Sequence, residues 1–208
     1  MRRINALPVA AIVSVLAVSA ASATSPNSVT ISSSRPVVVY GGSVTLAGKV
    51  SNAKSGENVD VFAEPSGQSS FASLVTVQST SGGHWSTSVK PTIETMYEAK
   101  WKGQLSSTVT VKVRPAITLT LSSVSGAMGT FSTKVTAARS LAGKFVLVQR
   151  LVSTGVTTVK KVTLDSSSAA TFRVRLHHGR SRLRVVMPTS QSAPGYITGF
   201  SNIVSVRR

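Results

Sequence analysis

"VKPTIETMYEAKW", residues 89–101, is the stretch on which the fold turns. From Thr95 onward it alternates: Thr95, Tyr97, Ala99 and Trp101 share one parity, and Met96, Glu98 and Lys100 the other. A period of two marks a half-buried strand, because successive side chains leave a strand on opposite faces. Similar runs lie on either side: "SVTLAGKVS" (43–51), "NVDVFAE" (58–64), "SLVTVQS" (73–79), "HWSTSVK" (84–90) and "STVTVKV" (107–113). They follow one another at a spacing of about 10 to 14 residues, with Gly, Pro, Asn and Ser between them, which is the rhythm of a sandwich or barrel. No window beyond the N-terminal segment holds helical periodicity.

The pattern occurs twice. Lys49-Val50 recurs as Lys134-Val135, Val59-x-Val61 as Val146-x-Val148, and Trp85 as Phe172. Tyr97-x-Ala99 falls opposite Leu183-x-Val185, and Val109-x-Val111 opposite Val204-x-Val206. The offset widens before the last strand, which places an insertion, "PTSQSAPGYITG" (188–199), in the second copy alone. A period near 90 residues is a domain rather than a solenoid unit. "VRPA" (113–116) is the junction, with Pro115 as a short stiff link.

Pro91, Thr95 and Tyr97 at the start of a strand resemble the tyrosine corner of immunoglobulin-like and fibronectin type III sandwiches. The strand count and the position of Trp85 are likewise similar to bacterial immunoglobulin-like modules of secreted and surface proteins. The resemblance implies two tandem immunoglobulin-like β-sandwich domains, residues 24–114 and 115–208, each of roughly seven strands. It also implies that the Tyr97 phenol bonds backbone in the preceding loop, and that Trp85 and Phe172 hold equivalent core positions. The second copy departs from the pattern, with Leu183 in place of the tyrosine and "HHGRS" in place of the Pro-Thr corner.

Residues 1–23 read as a cleaved signal peptide: Met1-Arg2-Arg3, an apolar run from Leu7 to Val18, then Ala21-Ser22-Ala23. Ser14 and Ser19 interrupt that run, so it falls short of the roughly 18 apolar residues of a membrane span. No transmembrane segment is expected in the mature chain. The sequence holds no cysteine, which removes disulfides, thiolate metal sites and lipid attachment at a mature N-terminal cysteine. "SNIVSVRR" (201–208) ends as a strand without an apolar tail. The product is expected to be secreted and released, or held non-covalently at the envelope.

The formal charge of +17 is unevenly placed. Residues 24–114 carry 8 Lys/Arg against 5 Asp/Glu, whereas residues 115–208 carry 13 against the single acid Asp165. Such a field attracts anionic polymers, either an envelope polymer or polysaccharide, or nucleic acid non-specifically. The bland alternative is a basic skin that keeps β edges soluble. Within "FRVRLHHGRSRLRVV" (172–186), Arg173, Arg175, Arg182 and Arg184 are the polyanion-binding candidates. As a hairpin they would share one outer face. By the internal repeat they belong to the fifth and sixth strands of a sandwich, in opposite sheets, and point apart.

Catalysis is not expected. Glu57, Asp60 and Glu64 would form a glycosidase pair only by accident of folding, and the parity of Asp60 and Glu64 suits a solvated strand face. Ser51-x-x-Lys54 falls in a loop rather than on the helix that chemistry needs. His177 and His178 lack a third metal ligand nearby. No cofactor is expected. Tyr196 and Phe200, in the insertion, form a candidate binding loop. The expected function is a non-enzymatic structural or adhesion module, with a polyanion- or carbohydrate-binding protein as the alternative.

Overall fold

The computed structural model describes residues 27–208; residues 1–23, read as a signal peptide, lie outside the described residues. The first half holds β1 (Ser32–Ser33), β2 (Val37–Val39), β3 (Val44–Lys49), β4 (Asn58–Pro65), β5 (Ala72–Gln78), β6 (His84–Val89), β7 (Thr95–Trp101), β8 (Gln104–Leu105) and β9 (Val109–Arg114). After Pro115 come β10 (Ala116–Ser125), β11 (Met128–Thr136), β12 (Phe145–Val152), β13 (Gly155–Thr163), β14 (Ala169–Arg175) and β15 (Arg180–Met187). The one-turn helix α1 (Thr189–Ser192) precedes β16 (Gly199–Phe200) and β17 (Val204–Arg207). The chain is nearly all β.

Two sheets form from the first half, β1-β3-β6 and β2-β9-β7-β4-β5, with β8 beside β7. Two more form from the second half, β10-β11-β14 and β13-β12-β15, with β16 and β17 both on β15. Each pair of sheets encloses its own apolar core, because Val and Leu at alternate positions of facing strands turn inward. The same strand frame thus occurs twice. Val50 N–H donates to Gly83 C=O, and Val135 N–H to Ser168 C=O, both at 2.9 Å.

That matched pair of bonds corrects one expectation. It aligns Trp85 with Ala170, and Thr87 with Phe172, so Trp85 and Phe172 are two residues out of step. Their cross-strand partners differ accordingly. Trp85 lies opposite Gly48, where a Cβ would stand 2.7 Å from the indole Nε1 and 1.8 Å from Thr30 O, so only glycine fits there. Phe172 lies opposite Phe131, and the two rings stack with centroids 6.0 Å apart. The first core holds Trp85, Tyr97 and Trp101, and the second the Phe131–Phe172 pair.

The tyrosine corner is also built differently. Tyr97 is buried, and burial raises its pKa, with the Thr95 hydroxyl beside it acting the other way. Thr95 Oγ1 donates to Ile93 C=O at 2.8 Å. The phenol that bonds backbone in this loop is that of Tyr196, which donates to Thr92 C=O at 2.6 Å from 104 residues away.

Candidate functional site

Arg173 and Arg175 stand on β14, and Arg182 and Arg184 on β15, in different sheets. Their inward neighbours Phe172, Val174, Leu183 and Val185 are buried, so both arginine pairs face outward on opposite sides of the sandwich. The four do not converge on one clamp. The β14 face is otherwise hydroxyl-rich. Its Lys134 lies near Asp165, whose carboxyl sits below the usual range chiefly through the Ser167 hydroxyl and the Ala169 N–H. The β15 face carries Arg180 and Arg207 as well, directly opposite each other, and Ser205 opposite Arg182. Lys161, opposite Leu147 on β12, belongs to the same face. Arg184 Nε donates to Gln149 Oε1 at 3.0 Å. Sequence reading singled out Arg182 and Arg184 but missed Arg180 and Arg207, because their pairing is long-range.

The insertion behaves otherwise than as a displayed loop. Tyr196 is only 2% exposed and packs into the core of the first sandwich, so it is not available to a ligand; this corrects its assignment to a binding loop. Its hydroxyl also accepts from Ala138 N–H at 2.8 Å, and burial raises its pKa. Around it, Glu94 N–H donates to Gly195 C=O at 2.9 Å and Ile197 N–H to Val113 C=O at 3.0 Å. Arg139 holds the turn from below, donating to the carbonyls of Ser192, Ala193 and Pro194. Arg114 donates to Thr198 C=O. Pro115 is therefore covered rather than a bare link. Phe200 is 43% exposed, yet the guanidinium groups of Arg114 and Arg184 lie 5.2 and 5.0 Å from its ring centroid.

A further difference between the copies lies at the edges of β5 and β6. In the first sandwich an apolar cleft of about 380 Å³ opens there, lined by Ala63, Leu74, Val89, Pro91 and Tyr97 among others. Register makes Ala63 and Arg150 equivalent, since they lie opposite Tyr97 and Leu183. In the second sandwich Arg150 crosses between the sheets, reaching Arg175 C=O and His177 Nε2 at 2.5 Å each. Lys160 Nζ donates to Arg173 C=O at 3.3 Å and spans the same gap. Arg150, Lys160 and Phe172 fill what Ala63 and Thr87 leave open.

The other singled-out residues have local roles. Glu57 accepts from Trp101 Nε1 at 2.9 Å and Asn52 Nδ2 at 2.7 Å, and pairs with Lys102 at 3.2 Å. Those donors, the indole first, hold its carboxyl below the usual range. Asp60 accepts from Thr76 Oγ1 at 2.6 Å, and shares the outer face of β4 with Glu64. Ser51 Oγ accepts from Ser28 N–H at 3.0 Å in a turn. His84 and His178 are exposed.

No protein-family model and no curated protein matches this sequence. Among solved structures, a tetra-tandem repeat in the extending region of a large adhesion protein is 13% identical, with 87% of this chain and 49% of that chain covered and a TM-score of 0.36. A Salmonella alpha-2-macroglobulin is 12% identical over 86% of this chain and 16% of that chain, at 0.33. E. coli alpha-2-macroglobulin is 13% identical over 86% and 14%, also at 0.33. This chain spans about half of the first protein and a small part of the others. The likenesses assign no function.

Proposed function

We propose that this chain is an exported, non-enzymatic structural or adhesion module, built of two tandem immunoglobulin-like sandwiches and held non-covalently at the envelope or in the extracellular matrix. The observation that carries the reading is the junction: the insertion of the second sandwich is built into the core of the first. A module that transmits load or sets spacing needs a stiff joint, and domains on a bare linker move independently. The basic N-terminus, apolar run and small-residue exit support export.

A second reading, binding of an anionic polymer, is favoured by the single-signed outer face of the β15 sheet. Fractionation of tagged cells tests both. Recovery with the envelope and release by high salt is the expected result; retention in the cytosol counts against export. Turnover in a broad hydrolase screen would overturn the non-enzymatic assignment.

A further inference from the structure

Resting on the polyanion reading above, we infer that the outer face of β15 and β17 is a binding site for an acidic polysaccharide. One sulfate or carboxylate sits between Arg180 and Arg207, and the polymer runs on past Arg182 and Arg184. Directly opposed like charges destabilise a sheet. Arg180 and Arg207 are nonetheless a directly opposed cross-strand pair, with no acidic residue on either strand. A cleft of about 270 Å³ opens between them, lined by Ser205 and Val206 as well. Two guanidinium forks and a hydroxyl around one hollow are the donors an oxyanion group needs. An anion bound between Arg180 and Arg207 offsets the repulsion between them.

Beyond this anchor the arginines repeat. Arg180, Arg182 and Arg184 stand at every second position of one strand, so their stems are spaced by about 6.7 Å. That is a straight row of cations suited to a linear polymer. Lys161 adds a fifth charge on the same face. Nucleic acid fits less well. Single strands are gripped by stacking bases on free aromatic rings. Both rings on this side are already covered by cations: Phe145 by Lys161 Nζ at 3.9 Å, Phe200 by Arg114 and Arg184. The face also offers no helix or ribbon to enter a duplex groove.

The test uses the full chain with a heparin octasaccharide and, for comparison, single-stranded and duplex DNA of similar charge. Arg180→Gln/Arg182→Gln should weaken heparin binding roughly tenfold or more. It should also reduce the slope of log affinity against log salt by about 1.5. Arg173→Gln/Arg175→Gln, on the opposite face, should change affinity by about twofold or less. Unchanged melting of both variants excludes misfolding. Equal or larger loss with the β14 pair would overturn the site and leave the polyanion reading standing. DNA binding as tight as heparin at the same arginines would overturn the choice of polysaccharide. Absence of binding to all three probes at low salt would end the polyanion reading itself.

Discussion

Tyr196 offers the most direct test of the joint between the sandwiches. Tyr196→Phe keeps the ring but leaves the Thr92 carbonyl without its donor and Ala138 N–H without its acceptor. Orphaning such groups costs about 2 kcal/mol. Tyr196→Ala also empties the space of a fully buried aromatic, raising the cost to about 4 kcal/mol. For a chain of this size each kcal/mol shifts Tm by about 2–4 °C, so the expected losses are about 4–8 °C and 8–16 °C. The tryptophans make the assay selective. Trp85 and Trp101 both belong to the first core, so their fluorescence follows that sandwich alone, whereas far-UV circular dichroism follows both. In the native protein the two transitions should coincide. Both variants should lower the tryptophan midpoint, although the substitution lies in the other half of the chain. A tryptophan midpoint that stays put while circular dichroism moves would refute the argument, since Tyr196 would then support only its own sandwich.

Trp85→Ala should cost about 3–5 kcal/mol, read from denaturant midpoints, because the indole is buried against Gly48. Gly195→Ala should cost about 1–3 kcal/mol, since Gly195 has φ +79° and a Cβ there would stand 2.3 Å from Ile93; Ile93→Ala in the same chain should restore part of the loss. Acid should also destabilise the fold. The folded pKa values of Glu57 and Asp165 lie below their ordinary 4.5 and 3.8, so their stabilisation is present above those values and lost as pH falls through the folded ones. Tm measured from pH 6 to pH 2 should fall on the acid side, and Glu57→Gln should flatten that fall; an equally steep fall in the variant would mean Glu57 is not among its causes.

The strands were legible because their signal is local. Alternation in "TMYEAKW" and its neighbours follows from side chains leaving a strand on opposite faces. The internal repeat likewise places Arg173 and Arg182 on different sheets, as the fold has them. Register was less legible. The pairing of Trp85 with Gly48 and of Phe172 with Phe131 depends on which strands meet, and two aromatic residues in similar strands look equivalent from sequence alone. The burial of Tyr196 is illegible for a related reason: a tyrosine between Gly195 and Ile197 in an insertion has the composition of an exposed loop. Nothing local signals that the loop folds back onto Thr92, over a hundred residues earlier. The Arg180–Arg207 pair is hidden in the same way, since only the antiparallel pairing of β15 with β17 sets them side by side.

The two copies of the strand frame help separate solubility from binding. Edge strands and solvated sheet faces need charge, but solubility is served best by mixed signs. The first sandwich follows that rule on its large sheet: Asp60 lies opposite Lys100, and Glu64 and Glu98 share the face with Lys112. The equivalent sheet of the second sandwich repeats the order β5-β4-β7-β9 as β13-β12-β15-β17, without a counterpart of β2, and its outer face is likewise exposed. It carries Lys161, Arg180, Arg182, Arg184 and Arg207 outward, with no acid on any of its strands. The exposed edge of β17 accounts for a charge at Arg207, but not for a single sign across Lys161, Arg180, Arg182 and Arg184. The self-repulsion of the second is a cost that an anionic ligand offsets, and the salt dependence of heparin binding measures that compensation directly.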